Sequence, residues 1–149
     1  MFNKMIPLLF VLIFLPNLLY AQKIEYNNLS ESALEEYSID AKLDKCLDDD
    51  YSVQAMIICL NEAYDDWDTA LNQYYRLLIK QLDYTAQIEL RDAQKAWINY
   101  REIEFAFMDN LYGQIDGSMY RVIAIGDKVD FVKRRTLELK AYYEIVTEP

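Results

Sequence analysis

What most constrains this chain is where its helix breakers fall. Between Pro16 and Pro149 there is no proline, no glycine precedes Gly113, and Gly113, Gly117 and Gly126 sit within a single short window. Hairpins and phosphate-binding loops depend on glycine and proline at their tight turns. A β-sandwich or α/β fold of this length needs such residues throughout, so the distribution predicts long helices with few interruptions. The complete absence of histidine removes Ser-His-Asp and Cys-His nucleophile systems, His-ligated metal centres and Cys-His zinc fingers. Two cysteines alone cannot close a structural zinc site either.

The first residues read as an address. Lys4 precedes a run from Met5 to Tyr20 that is apolar except for Asn17, Pro16 breaks it, and Ala21 offers a small residue to a peptidase. This is the layout of a secretory signal peptide over residues 1–21, cleaved after Ala21. The competing reading, a retained anchor, needs about 20 unbroken apolar residues to cross a bilayer. With no cysteine following the run, a lipoprotein anchor is not available. The exported chain, residues 22–149, is one domain in size. It is expected in the periplasm or outside the cell, without a stable membrane anchor.

Its charge is lopsided. Residues 22–68 carry 13 acids and 3 bases, a net of −10, whereas residues 69–149 carry 12 acids and 11 bases. Nucleic acid, a polyanion, needs a basic face and is excluded as a partner; an anionic membrane surface is disfavoured likewise. Such a field steers in a cationic partner, the alternative being that it serves solubility alone.

Both cysteines lie in the exported part, where a disulfide is the default. Cys46 and Cys59 enclose the run Asp48-Asp49-Asp50, which reads as a loop, followed by Ser52 as the N-cap of the next helix. Such a bridge clamps the end of one helix to the second turn of the next and is worth about 3 kcal/mol by loop-closure entropy. A redox-active pair is the sharper alternative, but the spacing is not Cys-x-x-Cys.

Three long helices follow from apolar residues recurring at intervals of three and four. The first stripe is Val53, Ile57, Leu60, Tyr64, Trp67, Leu71, Tyr74 and Leu78, ending at a turn with a new cap in Asp83-Tyr84-Thr85. The second is Leu90, Ala93, Trp97, Tyr100, Glu104, Phe107 and Leu111, broken by the segment 113–118. Ser118 can cap a third helix carrying Val122, Ile125, Val129, Val132, Thr136, Leu139, Tyr143 and Val146. A shorter helix with Ile39, Leu43 and Cys46 on one face precedes them, Ser32 and Glu35 forming a possible capping box; residues 22–29 have no helical pattern. Short links between long helices predict an all-α antiparallel bundle of three long helices, with the shorter N-terminal helix tied on by the disulfide. Trp67, Trp97, Tyr74 and Tyr100 are assigned to its core.

The search for chemistry finds little. Asp48, Asp50 and Ser52 have the spacing of the first calcium ligands of an EF-hand, but Val53 stands at the glycine position and Cys59 at the bidentate acid. Glu62, Asp65, Asp66 and Asp68 crowd one stretch of helix and read as a solvated acidic face rather than a cation site. No phosphate loop, nucleophile elbow or dinucleotide fingerprint occurs, so neither enzyme activity, a cofactor nor a metal is expected.

One combination is more specific. Asp68-x-x-Leu71-Asn72-x-x-Tyr75-x-x-Leu78, then Leu90-x-x-Ala93-Gln94-x-Ala96-Trp97-Ile98-x-Tyr100-Arg101, then Gly117-Ser118, and finally Arg135-x-x-x-Leu139 together resemble the LprI-type lysozyme inhibitor family, small exported helical proteins of bacteria. The likeness covers roughly residues 38–142, and the Cys46 and Cys59 pair resembles the family's first cysteine pair. The chain departs from the pattern in lacking a second pair, one member of which falls near Phe105 and the other between the glycine loop and Arg135, and in carrying Val132 where a threonine is usual. The resemblance implies an exported protein that binds and blocks lysozyme, a basic enzyme, by steric occlusion: acids of the first segment steer the encounter and an exposed loop enters the glycan cleft. The loop candidate is 112–118, with Tyr112 and Gln114 suited to saccharide-like contacts, Asp116 to basic groups, and Ser118 beside them; a plain helix connector is the alternative. Asp68, Asn72, Gln94 and Arg101 read as a hydrogen-bonded polar network between helices. An envelope structural or adaptor module that docks other proteins through a helical face is the competing function.

Overall fold

The computed structural model describes residues 38–148. The segment read as a signal peptide, its cleavage after Ala21, the unpatterned stretch 22–29 and the Ser32–Glu35 capping box lie outside them. The chain divides at Ile39, and the unit that begins there is described by itself. The described residues are all-α, without a strand among them. They comprise α1 (38–49), α2 (Val53–Gln81), α3 (Tyr84–Gly113) and α4 (Met119–Thr147).

Helix starts follow the local chemistry at two of the three capped positions. Ser52 accepts a hydrogen bond from the Ala55 amide and Asp83 one from the Ala86 amide, each satisfying a donor the helix leaves free. Ser118 stands at the N-cap of α4 but makes no side-chain cap bond. Its backbone is already helical (φ −64°, ψ −22°), a conformation that does not aim the hydroxyl at the next turn. The acid run is also shorter as a loop than its sequence implies: Asp48 and Asp49 belong to the last turn of α1 and only residues 50–52 link it to α2. Nothing in that run breaks a helix sterically, and the carboxylates remain in water.

The core lies chiefly between α2 and α4. Leu60, Ala63, Trp67, Leu71, Tyr74 and Leu78 of α2 meet Val122, Val129, Val132 and Leu139 of α4. At its centre Thr136, fully buried, donates its hydroxyl to the Val132 carbonyl (3.0 Å) within α4 and lies 3.2 Å from the Trp67 carbonyl of α2, so its polar atom is satisfied inside the core. The pairs Trp67–Thr136 and Tyr74–Tyr143 ascend together in α2 and α4. The pairs Tyr64–Phe105 and Asp68–Arg101 ascend in α2 while descending in α3, and the pairs Phe105–Phe131 and Tyr112–Asp127 ascend in α3 while descending in α4. Helix α1 is fastened by the Cys46–Cys59 disulfide (Cα–Cα 5.8 Å) and by Ile39 and Leu43 against the core. Its ion pairs are Asp40 with Lys133 (2.5 Å) and Lys42 with Asp66 (2.8 Å) and Glu62 (3.7 Å).

α3 does not present the face its apolar stripe implies. Trp97 is half-buried, but Tyr100 is 52% exposed and Phe107 56%, and Ala93 and Leu111 are also exposed. The face turned inward is instead Leu90, Gln94, Trp97, Arg101, Phe105, Met108 and Tyr112. Tyr100 is thus not a core residue, although its ring leans on Phe131 at 5.4 Å between centroids. The physical reason is that two of the inward positions are polar and find partners there: Gln94 Oε1 accepts from Arg135 Nε (3.1 Å), and Arg101 pairs with Asp68 (3.2 Å). A pattern scored on apolarity alone ranks those positions as outside. Near Phe105, where the resemblance expects a second disulfide, an aromatic contact holds α3 to α4 instead, with Phe105 edge-on to Phe131 at 5.5 Å.

Candidate functional site

Two places gather the residues singled out by the sequence. The first is the connection from α3 to α4. Its legs are pinned: Lys128 Nζ contacts Asp109 Oδ1 (2.6 Å), and the Tyr112 hydroxyl donates to the Asp127 carboxylate. That hydrogen bond, followed by burial and the carboxylate's charge, raises the Tyr112 phenol above its ordinary 10.0. Tyr112 is half-buried and engaged, while Gln114 closes α3, its Nε2 donating to the Asn110 carbonyl (3.0 Å). Ile115, Asp116 and Ser118 are exposed. Gly117 turns the chain at φ +121°, a conformation other L-residues adopt only with strain. A short, exposed tip on fixed legs results.

The second place is a groove of about 460 Å³ between α2 and α3. It is lined by Asp68, Leu71, Asn72 and Tyr75 of α2 and by Gln94, Trp97, Ile98 and Arg101 of α3, eight of the motif residues. Arg91 and Lys95 complete the lining. Sequence reading missed those two, though their spacing places them on the helical face of Gln94 and Arg101. The polar side chains form two hydrogen-bonded groups. In one, Asn72 Nδ2 donates to the Asp68 carbonyl (2.7 Å) and to its carboxylate (3.1 Å), and Arg101 reaches the same carboxylate while its guanidinium lies 5.4 Å from the Trp97 ring centre. In the other, Gln94 receives Arg135, which also pairs with Glu138 at 2.9 Å. Leu139 and Gly117 lie apart from the groove, Leu139 fully buried in the core and Gly117 in the loop tip.

Three of the four acids that crowd α2 face cations. Asp66 and Glu62 face Lys42 of α1, whose amine is raised by the hydrogen bond and charge of Asp66, and Asp68 faces Arg101. Among the described residues no three acid or cysteine side chains are grouped to hold a metal ion.

The described residues thus form a helical bundle with a disulfide-tied first helix, a pinned loop tip and a polar groove. The family model described as "Lysozyme inhibitor LprI" matches residues 44–139, and the chain belongs to that family. It is also similar to an uncharacterized protein of Rhizobium meliloti (strain 1021), 29% identical over 100 residues, which cover 58% of this chain and 70% of the relative. Among solved structures it is similar to an uncharacterized protein from Burkholderia thailandensis, with a TM-score of 0.70 and 25% identity over 74% of this chain. The chain spans about half the length of that solved protein, 55% of it. No described helix is long and apolar enough to cross a membrane.

Proposed function

We propose that the protein is exported by a cleaved signal peptide, residues 1–21, and that its remaining domain, 22–149, binds a cationic glycan hydrolase of the lysozyme kind and blocks it by steric occlusion. The order of the interhelix pairs supports an up-down-up, antiparallel arrangement of α2, α3 and α4, which brings the 50–52 link and the 113–118 loop to one end of the bundle. The observation that carries the reading is the charge of that end. Asp48, Asp49, Asp50 and Asp116 are all exposed there, against Lys45 and Arg121. Opposite charge on a basic enzyme raises the encounter rate and fixes orientation, and the pinned tip of Ile115, Asp116 and Ser118, flanked by Tyr112 and Gln114, enters the cleft. In this reading the protein itself is not an enzyme and carries no cofactor.

The test is a turbidity assay of lysozyme on bacterial cell walls with purified residues 22–149. Inhibition that weakens as salt rises, and weakens again in Asp116→Ala, is the expected outcome. Full lysis at molar excess of the protein refutes it.

A second reading, an envelope adaptor that docks another protein through a helical face, has its own support: Tyr100, Ile103, Phe107 and Leu111 form an exposed apolar stripe on α3. A stable complex in sedimentation without lysozyme binding favours this alternative.

A further inference from the structure

The groove between α2 and α3 carries a charge opposite to that of the chain. Of its four ionised side chains, Arg91, Lys95 and Arg101 are cations and only Asp68 is an acid, in a protein whose net charge is −10. Asp68 and Arg101 neutralise each other at 3.2 Å. Arg91 donates to the neutral Gln87 Oε1 (3.2 Å), and among the described residues no carboxylate is ion-paired with Arg91 or Lys95. These two lie one turn apart on the same helical face. Two cations without a counter-charge therefore border a cavity of about 460 Å³, within the range of small-ligand sites.

The rest of the lining selects among anions. The Trp97 ring already has Phe131 stacked on it at 5.7 Å and the Arg101 guanidinium at 5.4 Å, so it is not an open platform for a sugar ring. Leu71 and Ile98 supply apolar surface. Asn72 spends its amide nitrogen on Asp68 and Gln94 its amide oxygen on Arg135, which leaves one acceptor and one donor of the kind a peptide group pairs with.

We propose that this groove binds a short peptide ending in a free carboxylate, the carboxylate held by Arg91 and Lys95 and an apolar side chain lying against Leu71 and Ile98. The site is distinct from the acidic end and does not depend on lysozyme inhibition. The chain has two tryptophans, Trp67 in the core and Trp97 at the groove, so their two indole N–H resonances report the site and an internal control. The exported chain, ¹⁵N-labelled, is titrated with N-acetyl-Leu-Ala, with its C-terminal amide, and with N-acetylmuramic acid. The acid peptide is expected to move the Trp97 resonance saturably and leave Trp67 in place. The amide, and the exposed double variant Arg91→Gln/Lys95→Gln with unchanged helicity, are expected to bind about tenfold more weakly or worse. No saturable shift at millimolar peptide, or equal binding of acid and amide, overturns the site; N-acetylmuramic acid binding as well as the peptide overturns the choice of ligand.

Discussion

The orientation of α3 is open to a direct energetic test, because Phe105 and Phe107 lie about 200° apart on the helix and only one of them is packed. Phe105 meets Tyr64 at 6.2 Å and Phe131 at 5.5 Å, and has Lys128 Nζ 5.3 Å from its ring centre. A fully buried Phe→Ala change costs about 3–5 kcal/mol. Phe105 is only partly buried, so its loss scales to about 2–3 kcal/mol, which includes aromatic pairs of about 0.5–1.5 kcal/mol each that are not additive. Phe107 is 56% exposed, and alanine is the better helix former by about 0.5 kcal/mol, so Phe107→Ala is expected within about 0.5 kcal/mol of neutral. With a urea dependence of about 2 kcal/mol per molar, Phe105→Ala lowers the unfolding midpoint by about 1 M or more, and Phe107→Ala by less than about 0.3 M. Far-UV circular dichroism in urea measures both. If Phe107→Ala proves as costly as Phe105→Ala, α3 turns its apolar stripe inward after all and the polar groove does not exist.

Two further outcomes follow from individual contacts. Reducing the Cys46–Cys59 bridge, which spans a sequence separation of 13, should lower stability by about 3 kcal/mol. A urea midpoint unchanged by reductant would mean that Ile39, Leu43 and the ion pairs of α1 suffice to hold it. Tyr112 should ionise above the ordinary phenol value of 10.0, because its hydroxyl donates to Asp127 and burial and the carboxylate's charge raise it further. The folded pKa exceeds the unfolded one, so this contribution is complete below about pH 10 and is lost as pH climbs through the raised value. Difference ultraviolet titration of wild type against Tyr112→Phe measures it, and a missing component that titrates with the bulk contradicts the hydrogen bond.

Much of the architecture was legible from punctuation and periodicity. The lack of glycine and proline foretold long helices, and the α2 and α4 stripes named core residues that are buried, among them Leu60, Trp67, Leu71, Tyr74, Val132 and Leu139. Two oxidisable cysteines foretold the bridge that forms. α3 was legible as a helix but not in its orientation. Its inward side holds Gln94 and Arg101, whose partners Arg135 and Asp68 come from other helices. No window along α3 contains that information, so an apolarity count turned Tyr100 and Phe107 inward.

The groove shows the same division. The motif residues were recognisable as a set, but that Asp68, Asn72, Gln94, Trp97 and Arg101 line one cavity with Arg91 and Lys95 follows from how α2 and α3 are turned toward each other in the bundle. Likewise the engagement of Tyr112 depends on Asp127, fifteen residues away on the next helix. The sequence by itself determined the helices, their approximate ends, the disulfide and the distribution of charge, because these depend on intervals of a few residues and on chemistry carried by each side chain. Only the tertiary structure decided which face of α3 is inside and which polar groups pair, because a polar residue's preference for burial is set by the partner it meets there.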